Sequence, residues 1–325
     1  MQLLRRYPIA PNKVLHYLDD GLAVYVIAQH SPTIINVFTF GLESLKPVRH
    51  YPLIFTLRPS KGCVDDDFLY MPDRYGYIMV YDKFSGLEVE LMMSLSGVPA
   101  GDLKQSEKYV YVVCGVLLSN GVDIDTKHYC VCILNKETGN RSQTQLIRNR
   151  PLYVHPSSDG FWLVAGDLLQ HYSDIGRMNR EIEMPLMPTF EPIWTPQEVV
   201  YFNSDGFISG YSLEKLGLPL YGHRLPPSTE PPVNVKGRSV WAADHLYVIQ
   251  GESVTKVEVP YPVKELVAND DIFGVDEAGE LIRLDVESGV VTRSSLNLGL
   301  QGPLWSHGSI LFASDREGHL CQILK

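Results

Sequence analysis

The 325-residue chain carries 28 lysines and arginines against 38 aspartates and glutamates, a formal net charge of −10 at pH 7. Because sequence-independent nucleic-acid binding depends on clustered lysine and arginine, this balance argues against a nucleic-acid partner. A content of 45% hydrophobic and 20% charged residues favours a large packed core over disorder. Net negative charge is compatible with a basic protein partner, although it also serves solubility alone.

The first nine residues, MQLLRRYPI, lack the apolar run of about seven to fifteen residues that a signal peptide needs. No later stretch approaches the roughly twenty apolar residues of a membrane span. Five cysteines, at positions 63, 114, 130, 132 and 321, fit reduced thiols better than a disulfide framework. We therefore expect a cytoplasmic protein without a membrane partner.

Eight short, strongly apolar stretches predict one buried strand in each of eight repeats. They begin near Ala23, Phe68, Tyr109, Phe161, Val199, Leu246, Ile272 and Ile310. The successive differences between these positions are 45, 41, 52, 38, 47, 26 and 38 residues. A repeat near forty residues is typical of a β-propeller, in which each repeat is one four-stranded blade. We expect an all-β, eight-bladed propeller that forms a single domain over residues 1–325.

Two intervals depart from this spacing. The long one after Tyr109 indicates an insertion between two strands of the third blade, residues 115–128. The short one after Leu246 indicates that this blade has lost its outermost strand, so seven complete blades are also compatible with the sequence. Because inserted loops carry function more often than strands do, Asp123 and Asp125 in the insertion are candidate contacts for a partner.

Two turn signals recur along the chain. Asp-x-x-Gly before an alternating apolar strand occurs at 73–76, 276–279 and 315–318, with an asparagine variant at 203–206. A second signal, Asp or Asn followed by x-x-Ser/Thr-Gly, occurs at 82–86, 135–139 and 285–289. Asp and Asn side chains cap such turns, and glycine supplies the positive φ of a tight hairpin. We therefore expect Gly279 and Gly289 to be required by the backbone conformation.

The last repeat, residues 303–324, offers only three strands. The segment Gln2–Ile9 has the length to supply the fourth and to close the ring, which would remove the exposed edges of an open array. Two proline-rich stretches, 185–196 and 218–232, are expected to cross between blades on one face, because proline removes a strand donor.

The second turn signal with its preceding strand reads VYDKFSG at 80–86 and IRLDVESG at 282–289. It resembles the quinoprotein-type (PQQ-like) propeller repeat. In that family a tryptophan usually follows the glycine, whereas residues 87–92 and 290–295 contain none. The vicinal cysteine pair and calcium-ligand pattern of the quinone-dependent dehydrogenases are missing as well. The resemblance implies a propeller and, through the family's non-enzymatic members, a protein-binding scaffold without a quinone cofactor.

Acidic residues precede three of the buried strands, at 19–20, 65–67 and 270–271. Such positions are turns between the first and second strands of a blade, which we expect to open on one face. Turn formation by itself explains charged residues at these positions. Alternatively, they form an acidic rim that binds a basic partner. The candidate partner contacts are therefore Asp65, Asp66, Asp123, Asp125, Asp270 and Asp271, together with Tyr221, His223 and Arg224 in the second proline-rich stretch.

Beyond the repeat itself, the sequence shows no catalytic, metal-binding or cofactor-binding motif. Cys130 and Cys132 with His128 lack a second ligand pair at zinc spacing, and residues 120–125 lack the downstream glutamate of a calcium loop. The ten histidines occur without a nucleophile elbow or a metal-binding helix motif. The sequence predicts a non-enzymatic protein-interaction scaffold, or an inhibitor or immunity-type module. The alternative is a hydrolase or lyase with a site at the mouth of the central channel.

Overall fold

The computed structural model describes residues 1–42, 44, 46–54, 62–72, 77–93, 97–117, 124–184, 187–214 and 219–325. Within these residues the chain forms 32 strands grouped into eight antiparallel four-stranded sheets, and it forms no helix. The protein is an eight-bladed β-propeller, as the repeat spacing predicts. The part of the chain that the structure describes contains no helix long and apolar enough to cross a membrane.

The first strand, β1, is Gln2–Pro8, and the next sixteen strands form four blades in chain order. Residues 18–187 make one compact unit, and β2 begins just before it. The strands of these blades are β2–β5 at Lys13–Asp19, Ala23–Ser31, Ile34–Gly41 and Pro47–Ile54; β6–β9 at Cys63–Val64, Phe68–Pro72, Tyr77–Asp82 and Glu88–Met93; β10–β13 at Gly97–Gln105, Tyr109–Leu117, Ile124–Asn135 and Arg141–Gln143; and β14–β17 at Pro151–Ser157, Gly160–Ala165, Leu168–Tyr172 and Met178–Glu183.

The other compact unit contains residues 1–17 and 188–325. Its strands are β18–β21 at Ile193–Trp194, Glu198–Phe202, Phe207–Ser212 and Pro219–Arg224; β22–β25 at Val233–Val235, Arg238–Ala242, Leu246–Gln250 and Ser253–Val257; β26–β29 at Val263–Ala268, Ile272–Asp276, Leu281–Asp285 and Val290–Arg293; and β30–β32 at Leu300–His307, Ile310–Asp315 and His319–Leu324.

The N-terminal strand completes the last blade. The sheet order is β1-β32-β31-β30, and β1 runs antiparallel to β32 with Gln2 opposite Leu324 and Pro8 opposite His319. Arg6 on β1 also pairs with Asp315, at the end of β31. The prediction that Gln2–Ile9 supplies the missing strand is confirmed.

The second strand of a blade is the most deeply buried. All six residues of β15 and all five of β27 are buried, whereas the outermost strand β17 is exposed at five of its six positions. Because neighbouring blades cover both faces of such a strand, it shows a continuous apolar run instead of an alternating pattern. One core cluster, for example, joins Tyr111 and Val113 of β11 to Phe161 and Leu163 of β15.

The blade that contains Leu246 keeps its outermost strand, so the predicted loss is wrong. Leu246 begins the third strand of this blade, and β25 pairs with it along its whole length. The second strand is β23, which begins at Arg238, 40 residues after Glu198 and 34 before Ile272. The misassignment arose because β23 and β24 are both apolar and buried, so hydrophobicity alone does not distinguish them. Eight complete blades result.

The proline-rich stretches are strand-forming in part, which corrects their interpretation as crossings. Residues 219–224 form the edge strand β21, and Ile193–Trp194 form β18. Pro219 is tolerated because it occupies the first position of an edge strand, where no ladder donor is needed. Residues 225–232 do connect two blades without a strand of their own.

Candidate functional site

The predicted acidic turns lie where the sequence placed them. Asp20 follows β2, Asp65 and Asp66 join β6 to β7, and Asp270 and Asp271 join β26 to β27. Each is therefore at the turn between the first and second strands of its blade. Of the inserted loop, Asp123 lies outside the described residues, and only the backbone of Asp125, in β12, is described.

The carboxylate of Asp20 has four hydrogen-bond donors. It accepts the backbone N–H groups of Leu22 (2.9 Å) and Ala23 (2.8 Å), the hydroxyl of Tyr25 (2.9 Å) and the ammonium group of Lys83 (2.5 Å). The Asp20 and Lys83 side chains are only 3% and 2% exposed. Burial by itself would raise the pKa of Asp20, but the hydrogen bonds from Lys83 and the turn outweigh it and hold that pKa below its ordinary value.

The carboxylate of Asp65 repeats this arrangement in the next blade. It accepts the N–H groups of Asp67 (3.1 Å) and Phe68 (2.9 Å), the hydroxyl of Tyr70 (3.0 Å) and the ammonium group of Lys136 (3.1 Å). These bonds again hold the aspartate pKa low against the opposing effect of burial. The Asp65 and Lys136 side chains are 17% and 15% exposed.

Both sites follow one rule. The tyrosine lies five residues after the aspartate, and the lysine is the second residue of the tight turn after the third strand of the following blade. We call this Asp–Tyr–Lys arrangement the inter-blade latch, because its ion pair joins two consecutive blades. Sequence reasoning missed it, although the Asp-x-x-x-x-Tyr spacing of 20–25 and 65–70 and the lysines at 83 and 136 were visible signals.

A third junction, between the blades β10–β13 and β14–β17, has the same geometry, but its acidic residue belongs to the following blade instead of the preceding one. Ser106 takes the place of the aspartate, and the hydroxyl of Tyr111 donates to Asp174 at 2.6 Å. Asp174 is the second residue of the turn after β16, the position that lysine occupies in the two latches. The tyrosine thus links the blades even where no ion pair exists between these positions.

The latches fix turns whose remaining side chains face solvent. Beside the Asp20–Lys83 latch, Leu22 is 75% and Phe84 52% exposed. The corresponding positions beside Asp65–Lys136 are Asp67 and Glu137, which are exposed as well. We define the acidic turn surface as the exposed acidic and large apolar residues of these two junctions: Asp19, Leu22, Asp66, Asp67, Phe84 and Glu137.

The predicted acids of the other compact unit are arranged differently. Asp271 is largely buried and pairs with Arg283 of its own blade at 2.6 Å, while Asp270 is exposed. The charge of Asp271 is therefore matched within the blade. Asp65 is also paired, with Lys136 of the next blade, and so presents little charge to solvent. Its neighbour Asp66 is the exposed member of the predicted pair.

Tyr221, His223 and Arg224 lie on the edge strand β21 and not on a loop. The Tyr221 hydroxyl lies 3.4 Å from Glu198, and His223 Nε2 lies 2.7 Å from the carbonyl oxygen of Gly251 in the next blade. The Arg224 guanidinium lies 4.7 Å from the ring centre of Phe207. All three make contacts within their own compact unit.

A groove of about 660 Å³ lies beside Tyr221. Its lining includes the carboxylates of Glu198 and Glu214 and the half-exposed side chain of Leu220. These residues come from different strands, so no short sequence pattern predicts the groove. Its chemistry is acidic and apolar, like that of the acidic turn surface.

A serine, an aspartate and a histidine meet in the blade formed by β14–β17. Ser157 Oγ and an oxygen of Asp159 both lie 3.2 Å from Nε2 of His171, and the amide of Asn179 lies 3.4 Å from Nδ1. In a nucleophilic triad the serine and the carboxylate contact different ring nitrogens. This cluster therefore lacks the arrangement of a serine-type nucleophilic triad.

One group of side chains has metal-ligand character. Ligand atoms of Asp315, Glu317 and His319 lie within 4.8 Å of one another. The guanidinium of Arg6 donates hydrogen bonds to both Asp315 and Glu317, so a cationic side chain already satisfies these carboxylates. We interpret the group as the anchor of β1 on the last blade.

No protein family and no curated protein matches the sequence. Among solved structures the chain is similar to the computationally designed Ika8 protein, with 12% identity, a TM-score of 0.74 and all of both chains covered. It is also similar to Sqt1 from Saccharomyces cerevisiae (13%, 0.69, covering 100% of this chain and 99% of that chain) and to BamB from Moraxella catarrhalis (13%, 0.64, 99% and 100%). At these identities the similarity shows a shared β-propeller fold and nothing more specific.

Proposed function

We propose that the protein is a non-enzymatic interaction module that binds a basic segment of a partner protein on the acidic turn surface. The observation that carries the proposal is the pair of latches, which hold four exposed carboxylates and two exposed apolar side chains on adjacent turns. β-Propellers commonly mediate protein interactions. The repeats themselves we assign to the quinoprotein type, which the PQQ-like propeller BamB also has.

The chemistry of the surface favours binding over solvation alone. A single exposed apolar side chain is ordinary, but Leu22 and Phe84 flank the same buried ion pair, and an aromatic anchor among polar residues is typical of a binding hot spot. Because the latches already order these turns, a partner would lose little conformational entropy in ordering them. Exposed carboxylates would speed the encounter with a basic partner. The specific form that we propose is an inhibitor or immunity-type protein that holds a cationic partner.

The proposal can be tested with synthetic peptides rich in lysine and arginine that carry one central aromatic residue. We expect the double variant Asp66→Lys/Asp67→Lys to weaken binding by about tenfold or more, mostly through a slower association rate. Phe84→Ser should weaken it through faster dissociation. Rising salt should weaken binding to the unmodified protein, since exposed charges are screened.

A matched control is the double variant Asp205→Lys/Glu258→Lys, which changes the net charge equally at exposed positions outside the acidic turn surface. Its binding should stay within about twofold of the unmodified protein, because screened charges act mainly at short range. Equal losses in both double variants would show that net charge alone attracts the peptide, and binding that is indifferent to salt and to Phe84→Ser would reject the proposed surface.

A further inference from the structure

Four of the five cysteines pack into one core cluster between two consecutive blades, β6–β9 and β10–β13. Cys114, Cys130 and Cys132 are buried members of this cluster, and the partly buried Cys63 packs against it. The five cysteines form no disulfide in the structure. Thiols that lie in one cluster can be linked by oxidation where the backbone places two of them at a suitable separation.

Cys114 and Cys130 lie at such a separation. β11 and β12 are antiparallel, and Cys114 is directly opposite Cys130 in their register. Opposite residues of an antiparallel ladder direct their side chains to the same face of the sheet, with Cβ atoms about 4.5–5.5 Å apart. Both side chains are completely buried, at 0% exposure, on the face that packs against the blade β6–β9.

The backbone bonds of β12 show which kind of ladder pair this is. Tyr129 and Val131 lie on either side of Cys130. Their backbone groups bond outward, to Ile147 and Thr144. Because backbone groups alternate in direction along a strand, those of Cys130 point to β11, and the two cysteines form a hydrogen-bonded pair. The Cα atoms of such a pair are about 5.5 Å apart, within the range of about 4.4–6.8 Å that a disulfide spans.

The other cysteines of the cluster are less well placed. Cys132 is opposite Val112 in the ladder, and two residues along a strand place it about 7 Å from Cys130. Cys63 belongs to β6 of the neighbouring blade. Packed sheets lie about 10 Å apart, beyond the separation of about 7 Å above which a disulfide requires backbone movement. The geometry therefore favours the link between Cys114 and Cys130.

We propose that Cys114 and Cys130 are a modification site at which hydrogen peroxide oxidises the two thiols to a cross-strand disulfide. One thiol sulfur attacks the peroxide, the O–O bond breaks, and a sulfenic acid and one water form. The second thiol sulfur then attacks the sulfenic sulfur. The S–S bond forms as the S–O bond breaks, and the oxygen leaves as a second water with the remaining thiol proton. The two cysteines lose two electrons to one peroxide, and no other reactant is needed.

The surroundings of the pair suit a slow and reversible reaction. Val116 and His128 each lie two residues beyond one of the cysteines and are half-buried, so the ladder becomes more accessible there. Hydrogen peroxide is uncharged and close to water in size, and local opening of this end of the ladder admits it. The Cβ atoms of the pair are farther apart than the about 3.8 Å of a relaxed disulfide, so the bond would be strained and easily reduced.

The disulfide would join β11 to β12 on either side of the segment 115–129, which contains the predicted insertion. A cross-link that closes a loop removes conformational entropy from the unfolded chain and so stabilises the folded one. Oxidation would therefore stabilise this blade. The site does not rest on the proposed basic partner, because it contains no residue of the acidic turn surface.

The test treats the folded, fully reduced protein with hydrogen peroxide and then counts its thiols in denaturant. We expect the count to fall from five to three, and dithiothreitol to restore it. Protease digestion without reductant, followed by mass spectrometry, should identify one linked pair of peptides, which contain Cys114 and Cys130. The melting temperature should rise on oxidation and return to its first value on reduction.

Cys114→Ser and Cys130→Ser should each abolish the link. The matched control is Cys132→Ser, which removes a thiol from the same face and cluster but from a position opposite Val112. It should leave the amount of linked peptide unchanged. A second control oxidises the protein in urea, where the register is lost and several pairings should form.

Four outcomes would overturn the inference: five thiols that survive peroxide, oxidation without a link, a linked pair that includes another cysteine, or the same mixture of pairings from the folded and the urea-unfolded protein. The linked peptides are identified in the unmodified chain. The result therefore holds even if a serine variant fails to fold.

Discussion

The Asp20–Lys83 and Asp65–Lys136 latches are two copies of one arrangement in different surroundings. Each aspartate accepts two backbone N–H groups, one tyrosine hydroxyl and one lysine. The first pair is almost completely buried, while the second is partly open to solvent. An ion pair is screened far more when water reaches it. The same set of hydrogen bonds should therefore contribute a different stabilisation free energy at the two junctions.

The exposed residues beside the two latches differ as well. Where the ion pair is buried, the adjacent tips are Leu22 and Phe84; where it is more open, they are Asp67 and Glu137. The ring of Phe84 lies 5.1 Å from Lys83 Nζ in the first latch, whereas the acidic tips add negative charge beside the second. One backbone arrangement thus supports an apolar anchor at one junction and a charged rim at the next.

The largest expected difference comes from removing the lysines. Lys83→Met leaves the buried Asp20 carboxylate without its counter-ion and should cost about 3–5 kcal/mol, the range for breaking a buried pair. Lys136→Met leaves Asp65, which is 17% exposed and so partly open to water, and should cost about 1–2 kcal/mol, between the values for exposed and buried pairs. Urea unfolding at neutral pH, followed by tryptophan fluorescence, measures both. Equal losses would mean that burial does not separate the two latches.

Gly279 and Gly289, in the other compact unit, also share a backbone conformation but differ in their surroundings. Gly279 and Gly289 have φ values of +84° and +70°, so either Gly→Ala change should cost about 1 kcal/mol through the backbone. A Cβ at Gly279 would also lie 2.7 Å from Cα of Gly299, whereas nothing lies within 4 Å of one at Gly289. Gly279→Ala should therefore lower the free energy of unfolding by about 2–3 kcal/mol, and Gly289→Ala by the backbone cost alone. Similar losses would contradict the packing difference.

Acid should weaken both latches. The pKa values of Asp20 and Asp65 are held below their ordinary value in the folded state, so the unfolded chain binds protons first as the pH falls. Their contribution is complete above the unfolded pKa of about 3.9 and is lost as the pH falls through the lower folded values. Melting temperatures measured between neutral and acidic pH should fall less steeply for Asp20→Asn and Asp65→Asn. A variant as steep as the unmodified protein would show that its aspartate does not contribute.

Local patterns were sufficient to predict most of the fold. The apolar second strands, the Asp-x-x-Gly turns and the three-stranded final repeat predicted eight blades and the pairing of β1 with β32. The sequence failed at Leu246 because the hydrophobicity of β23 and β24 is alike, and at residues 219–224 because Pro219 is the first residue of a strand there and does not interrupt it.

The candidate site was less predictable because its bonds are long-range. Lys83 lies 63 residues from Asp20, and Lys136 lies 71 from Asp65. Which acids remain exposed depends on such partners: Asp65 is engaged by Lys136, and its neighbour Asp66 is not. The charge of a turn can thus be predicted from the sequence, whereas its availability to a partner depends on how consecutive blades pack.

The tyrosine hydroxyls are expected to contribute less to each latch than its lysine does. Tyr25→Phe removes one of four donors from the buried Asp20 and should cost about 1–2 kcal/mol, since a buried charged acceptor is left less satisfied. Tyr70→Phe should cost about 0.5–1 kcal/mol, because water can replace the hydroxyl at the more open Asp65.

Double-mutant cycles separate these small effects from simple loss of packing. If Asp20 is shared between Tyr25 and Lys83, the combined loss in Tyr25→Phe/Lys83→Met should differ from the sum of the single losses by about 0.5 kcal/mol or more, as for residues in one network. The cycle on Tyr70 and Lys136 should show a smaller coupling, because solvent competes for Asp65. A cycle on Tyr25 and Lys136, which contact different aspartates, provides the control and should be additive. Additivity in all three cycles would mean that tyrosine and lysine stabilise their blades independently, and that the latch is not one cooperative unit.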